Sequence, residues 1–256
     1  MTGRFGKIRK TGKIRKTGSP VASLPMYDWP EARDSTDNLW QIIRNAALVH
    51  APDMVLPKSL TRIDGDPAPH WRAPSLIFSQ SCWGPLQAGL LTDLLPLAQP
   101  DYSSFEGGQG PRYRSVLITR DGQQVAVPQV DGASPLHDVM RGRHFGFNNP
   151  ASLSGLIGLA RDLGVRPADL AAGAVQTGSH RESIKAVSAG DIDVASIDCR
   201  SWALARQHEV MAGGLVAAGW TALRPGLPYV TSRQTDRTAS AVLTAVLIEH
   251  GCFAIA

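Results

Sequence analysis

The chain has 256 residues, 43% of them hydrophobic, enough for one large domain or two small lobes with real cores. No apolar run approaches the roughly 20 residues that a membrane-spanning helix needs, so a soluble globular protein is expected. The net charge is +4, but residues 1–18 hold seven basic side chains and no acid, leaving the rest at −3, without the basic face that nucleic-acid binding asks for.

Residues 6–17 read GKIRKT twice. One Ile per hexamer builds no core, so a disordered basic tail is expected over residues 1–20. It is either an arm for acidic surfaces or a segment without a role. A secretory signal would place an apolar stretch of about 7–15 residues after the charges, whereas Ser19 and Pro20 follow here. A cytoplasmic location is one expectation; a natural start elsewhere is the other.

Beyond Pro20, VASLPMY (21–27) reads as a strand. Ser35 or Thr36 caps a helix through residue 50, with Leu39, Ile42, Ile43 and Ala46 at helical spacing. A loop rich in Pro and Asp, 52–74, follows. A strand at 75–80 leads to a helix from Trp83 and a strand at 94–102. EGGQGP (106–111) is a break, and 112–120 is a strand of alternating polar and apolar residues. After a loop, 121–135, come a short helix at 135–142 and a strand at 143–149. Helices opening at Ser152, His180 and Arg200 then alternate with strands at 172–178, 193–198 and 215–220. An extended segment, 223–232, precedes a closing helix over 235–251. Strand–helix alternation implies mostly parallel sheets with covering helices. The units fall into two sets, so two α/β lobes joined by two crossings are expected: residues 21–115 plus 222–256, and residues 116–221.

Ligands in open α/β sheets sit beyond the carboxyl ends of strands, which directs attention to Tyr27, Asp28, Ser79, Gln80, Ser81, Ser152, Ser154, Ser179, His180 and Asp198. In NPASLSG two hydroxyls stand at a helix start beside Gly155, where unpaired amides and the helix dipole favour an oxyanion; plain capping by Ser152 is the alternative. His180 either donates to an anion or is a surface residue at a helix start. Asp198 binds a cationic group, orients His180, or caps the next helix. Tyr27 lines the cleft or packs at a strand end. Arg112 and Arg114, beside the first crossing, either clamp an oxyanion or face solvent. The three cysteines, Cys82, Cys199 and Cys252, have neither CxxC spacing nor a nearby His set, so free thiols are expected and no metal or other cofactor.

Taken in order, SLPMYDW, SQSCWGPL, YRSVLI, NNPASLSG, TGSHRESIKAV, GDIDVASID and PGLPYVTS resemble the phosphate/phosphonate-type solute-binding proteins of ABC transporters. The resemblance runs from about residue 21 to the C-terminus. It implies a type II periplasmic-binding-protein fold: α/β, with two lobes of mostly parallel sheet around a ligand cleft. The implied role is to bind a phosphonate, phosphate or similar small oxyanion in the periplasm, as a monomer that hands it to an ABC permease, without catalysis. The implied contacts are Ser152, Ser154, Tyr27 and His180, with Asp198 facing the cleft; Ser79 and Gln80 join them as strand-end candidates. Leu153 stands where the family's helix start often carries another hydroxyl. Two rivals share the fold: a cytosolic enzyme of cofactor biosynthesis using His180 and Asp198 as an acid–base pair, and a small-molecule-sensing module.

Overall fold

The structure, a computed structural model, describes residues 18–255. The GKIRKT repeats, and with them residues 1–17 of the expected basic tail, lie outside the described residues.

The chain enters through β1 (Val21–Ala22) and turns tightly at Pro25–Tyr27. The strand expected over 21–27 is therefore two residues long, because Pro25 has no N–H for a sheet ladder. A second turn, Pro30–Ala32, leads into α1 (Arg33–His50). The Pro- and Asp-rich segment holds α2 (Ala68–Trp71), and β2 (Leu76–Gln80), α3 (Trp83–Gln87) and β3 (Leu94–Gln99) follow. The predicted break contains β4 (Gly108–Gln109), which pairs with β5 (Arg112–Tyr113) before β6 (Ser115–Thr119). Next come α4 (His137–Met140), β7 (His144–Phe147) and a helix whose first turn, Leu153–Ile157, is a π turn and whose remainder is α5 (Gly158–Leu163). The chain continues through α6 (Pro167–Leu170), β8 (Gly173–Gln176), α7 (His180–Ala189), β9 (Val194–Asp198) and α8 (Cys199–His208). It ends with β10 (Val216–Trp220), β11 (Arg224–Pro225), β12 (Tyr229–Ser232), α9 (Arg237–Glu249) and β13 (Phe253–Ala254).

Two sheets organise these elements, in the orders β1-β2-β12-β3-β13 and β10-β6-β9-β7-β8. The pairings make β1, β2 and β3 run one way, with β12 and β13 against them. In the second sheet β8, β7, β9 and β10 share a direction and β6 opposes them. Strand direction is thus mostly shared, as strand–helix alternation requires. The opposed strand inside each sheet, β6 or β12, is the one entered just after the chain crosses between sheets. The crossings themselves meet in a small third sheet, where β5 pairs with β11 and β4.

Each sheet has its own core. Trp40 of α1 stacks on Phe78 of β2, which stacks on Tyr229 of β12, with centroids 5.3 Å apart in both pairs. The buried stripe of α1 is Thr36, Trp40, Ile43 and Ala47; of the four expected residues only Ile43 is fully buried, and Ile42 is exposed. Helical spacing admits neighbouring phases of the stripe, and the bulk of Trp40 selects this one. In the second sheet, β6 is buried throughout rather than alternating. Val116 and Ile118 pack with Ile184 and Trp202 on one face, and Leu117 packs with Phe145 and Leu159 on the other. The oxyanion reading of Arg114 is not borne out by its contacts: it is buried and donates to the carbonyls of Gly132 (2.7 Å), Thr221 (2.8 Å) and Val130. Arg112 pairs with Asp131 at 3.0 Å.

Candidate functional site

Between the two sheets lies a cavity of about 620 Å³. Tyr27, Ser152, Ser154, His180 and Asp198 line it, whereas Ser79 and Gln80 do not. Those two stand behind the wall. Ser79 Oγ accepts from the Trp71 indole N–H (3.3 Å) and shares a bond with Ser23 Oγ (3.0 Å), and Gln80 Nε2 donates to the Leu227 carbonyl (3.0 Å). Trp71 and Leu227 are themselves lining residues.

Three helix starts converge on one end of the cavity. At the first, Ser152 Oγ accepts from the Gly155 amide at 3.0 Å, and the Ser152 carbonyl accepts from Leu156 (3.2 Å) and Ile157 (3.0 Å), forming the π turn. Gly155 leaves room there for Asn148, whose Oδ1 would lie 2.0 Å from a Cβ and would have to move. The Ser154 carbonyl accepts from Ser196 Oγ of β9 at 2.6 Å, which fixes the helix start against the sheet. At the second, Ser179 caps α7 by accepting from the Glu182 amide at 3.1 Å, a Ser-x-x-Glu start legible in the sequence. His180 becomes the first residue of the helix and turns inward. At the third, Asp198 ends β9 and caps α8, its Oδ1 accepting from the amides of Arg200 (3.1 Å) and Ser201 (2.9 Å). Capping and orientation of His180 are both realised by this one carboxylate.

A chain of polar contacts crosses the floor. Ser154 Oγ lies 2.8 Å from His180 Nε2, and the same nitrogen lies 3.4 Å from Asp198 Oδ2. On the other side of the carboxylate, the Tyr27 hydroxyl donates to Oδ1 at 3.1 Å and lies 3.3 Å from the Tyr102 hydroxyl, which accepts from the Leu227 amide at 3.1 Å. Burial, reinforced by Asp198, pushes the Tyr27 phenol well above its ordinary value, so it keeps its proton as a donor. Burial pulls the His180 imidazole below its ordinary value, only partly countered by Asp198. The neutral ring bonds through one nitrogen, while Nδ1 has no partner. Hydroxyl and carboxylate meet the same nitrogen, so this is not the relay in which a base takes a proton on one nitrogen and is held by an acid on the other.

The side-chain donors at the polar end of the cavity are neutral. Arg181, on the wall, is engaged by Glu31 (2.8 and 3.1 Å) and by Glu209, and Arg72 by Asp93 at 3.7 Å. Partial positive charge at the polar end comes from the starts of the helix at Leu153 and of α7, since Asp198 already caps the start of α8. Asp198 Oδ1 is occupied by three donors, leaving Oδ2 facing the imidazole as the acceptor there. Burial raises the Cys82 and Cys199 thiols, and Cys252 is pushed up to about 11; none is bridged, so all three stay protonated thiols at neutral pH. Among the described residues no group of three His, Cys, Asp or Glu side chains is placed to hold a metal.

Sequence reasoning passed over the opposite end of the cavity. Trp71 sits in what reads as loop, Met26 lies in the turn that cuts the expected strand short, and Trp29 stands between that turn and the next. Asn148 and Asn149, also on the wall, follow β7 and were open to the same strand-end reasoning that selected Ser152.

A family model described as "ABC transporter, phosphonate, periplasmic substrate-binding protein" matches residues 84–251, more than half of the chain. No curated protein matches by sequence. Among solved structures, PhnD1 from Prochlorococcus marinus in complex with methylphosphonate is similar at TM-score 0.64 and 15% identity, over 90% of this chain and 84% of that one. A binding-protein component of an ABC phosphonate transporter from Pseudomonas aeruginosa is similar at TM-score 0.60 and 16% identity, over 93% and 81%. The periplasmic VFT2 domain of BvgS from Bordetella pertussis is similar at TM-score 0.56 and 16% identity, over 90% and 86%. At such identities the structural likeness speaks for the fold, which transport receptors and sensor domains share.

Proposed function

Because the chain belongs to the family of phosphonate-type periplasmic substrate-binding proteins of ABC transporters, a family of solute receptors rather than enzymes, we propose that it binds a phosphorus oxyanion at the polar end of its cavity. The observation that carries this reading is the meeting of three helix starts around Ser154, His180 and Asp198. Ser152, Ser154 and Tyr27 complete the proposed contacts, and Ser79 and Gln80 support the wall. Neutral donors and helix amides suit an oxyanion. The Asp198 carboxylate suits one that keeps a proton, since a hydrogen from a phosphonate P–OH to Oδ2 turns repulsion into a charge-assisted bond. Sulfonates, fully ionised at neutral pH, have no such proton.

In the proposed mechanism, residues 21–115 plus 222–256 form one lobe and residues 116–221 the other, and the lobes close on the anion because only the closed form makes contacts from both. An ABC permease reads the closed form of the monomer in the periplasm, and nucleic acid has no part. No helix of the described residues is long and apolar enough to cross a membrane.

Calorimetric titration of Ser154→Ala with methylphosphonate tests the site. Loss of one hydrogen bond to a charged group, about 1.5–3 kcal/mol, predicts affinity lowered by roughly ten- to a hundredfold with an unchanged circular dichroism spectrum. Unaltered affinity would remove Ser154 from the site.

A further inference from the structure

A bare oxyanion is too small for this cavity. Methylphosphonate has five heavy atoms and, counting each as roughly one water at about 30 Å³, fills on the order of 150 Å³. The cavity measures about 620 Å³, within the range of roughly 300–1,000 Å³ that suits much larger ligands. The surplus lies away from the helix starts. It is an annex walled by the 52–74 segment, which contributes Ile63, Pro67, Ala68 and Trp71, and by Met26 and Leu90. A segment of that length with only one short helix is uncommon unless it does something, and here it builds a wall.

The walls of the annex are largely apolar. Asp28 is held by Arg62, which also serves Asp37, and Arg72 lies 3.7 Å from Asp93, while Asp66 accepts from the Ala68 amide at 3.0 Å. The Trp71 indole N–H is already spent on Ser79, so the buried ring offers only its carbon surface. Trp71 packs in a cluster with Leu76, Leu86, Leu90, Leu94 and Val230, which holds it rigid. A rigid aromatic wall with Pro and Leu neighbours fits an apolar group.

We propose that the ligand is an organophosphonate whose substituent is an uncharged apolar group of about benzyl size, its phosphonate at Ser154 and His180 and its substituent against Trp71. This rests on the oxyanion reading of the polar end and adds the other half of the ligand. Each apolar carbon withdrawn from water into the annex adds affinity that a methyl group cannot supply.

The test compares methylphosphonate with benzylphosphonate by calorimetry, on the wild-type chain, on Trp71→Ala and on Ala88→Phe. Ala88 is an exposed residue lining the cavity, so a ring there narrows the cavity without opening the core cluster, which covers the case in which Trp71→Ala fails to fold. The expected result is benzylphosphonate binding roughly tenfold or more tighter than methylphosphonate, with that ratio falling toward one in either variant. Equal affinities, or preference for methylphosphonate, would overturn the annex while leaving the oxyanion site standing. Failure of both compounds to bind would overturn both.

Discussion

Asp198 does three things with one carboxylate: it caps α8, takes the Tyr27 hydroxyl and faces His180. A buried acid so well supplied with donors is a fixed acceptor, and beside it burial keeps His180 neutral. The sign of the resulting pH dependence follows from linkage. An imidazole whose folded value lies below its unfolded value of about 6.5 binds more protons when the chain unfolds, so stability is lost as pH falls below that value. The melting temperature of the unliganded protein is therefore expected to drop between pH 7 and 5.5, and to drop less in His180→Asn. Identical slopes in the two proteins would show that His180 does not carry the effect. At this scale the sequence was a good guide to three caps: Ser152, Ser179 and Asp198 each sit at a strand-to-helix junction where a short polar side chain points at the first free amides. It failed for α1, which starts at Arg33 behind Ala32 with no side-chain cap, so Ser35 and Thr36 lie inside the helix. It was a poor guide for Ser79 and Gln80. They end a strand that is buried almost throughout, and position at a strand end does not say whether a side chain faces a cavity or supports its wall.

Between elements, contacts from opposite sheets meet beside the cleft. Arg181 of α7 reaches Glu31 beside α1, sits 4.7 Å above the Trp29 ring and is braced by Glu209. The Cys82 sulfur accepts from the Leu153 amide at 3.4 Å. Next to it Gly84 lets α3 lie directly against the loop before the π turn: a Cβ at residue 84 would fall 1.8 Å from the Ala151 carbonyl oxygen. Since both partners are backbone, Gly84→Val is expected to push the two sides apart. Each sheet keeps its core, while ligand affinity falls by tenfold or more, an effect on the order of 1.4 kcal/mol. Stopped-flow ligand release faster than in the wild type would bear this out, and an unchanged rate with unchanged affinity would show that this contact is no part of closure. None of these contacts is legible in the sequence, since each joins residues dozens of positions apart. The element errors have local causes. Pro25 cuts the first strand, and the annex wall reads as loop because α2 is a single turn among prolines.

For the whole molecule, what was legible was the alternation of strands and helices, which gives the two α/β sheets. Less legible was how the crossings finish. β6 and β12 run against their neighbours inside the sheets they enter, and β5 and β11 pair with each other on the way. That arrangement couples the sheets through two strands lying side by side, a geometry suited to hinge motion about the cleft. The central claim, a phosphorus oxyanion recognised through its remaining proton by Asp198, is tested most directly by titrating the protein with methylphosphonate and with methanesulfonate at pH 7. These ligands match in size and differ in that proton. The account predicts saturable binding of the phosphonate and at least roughly tenfold weaker binding of the sulfonate, the value of about one charge-assisted hydrogen bond. Equal binding of the two, or binding of the sulfonate alone, would contradict it.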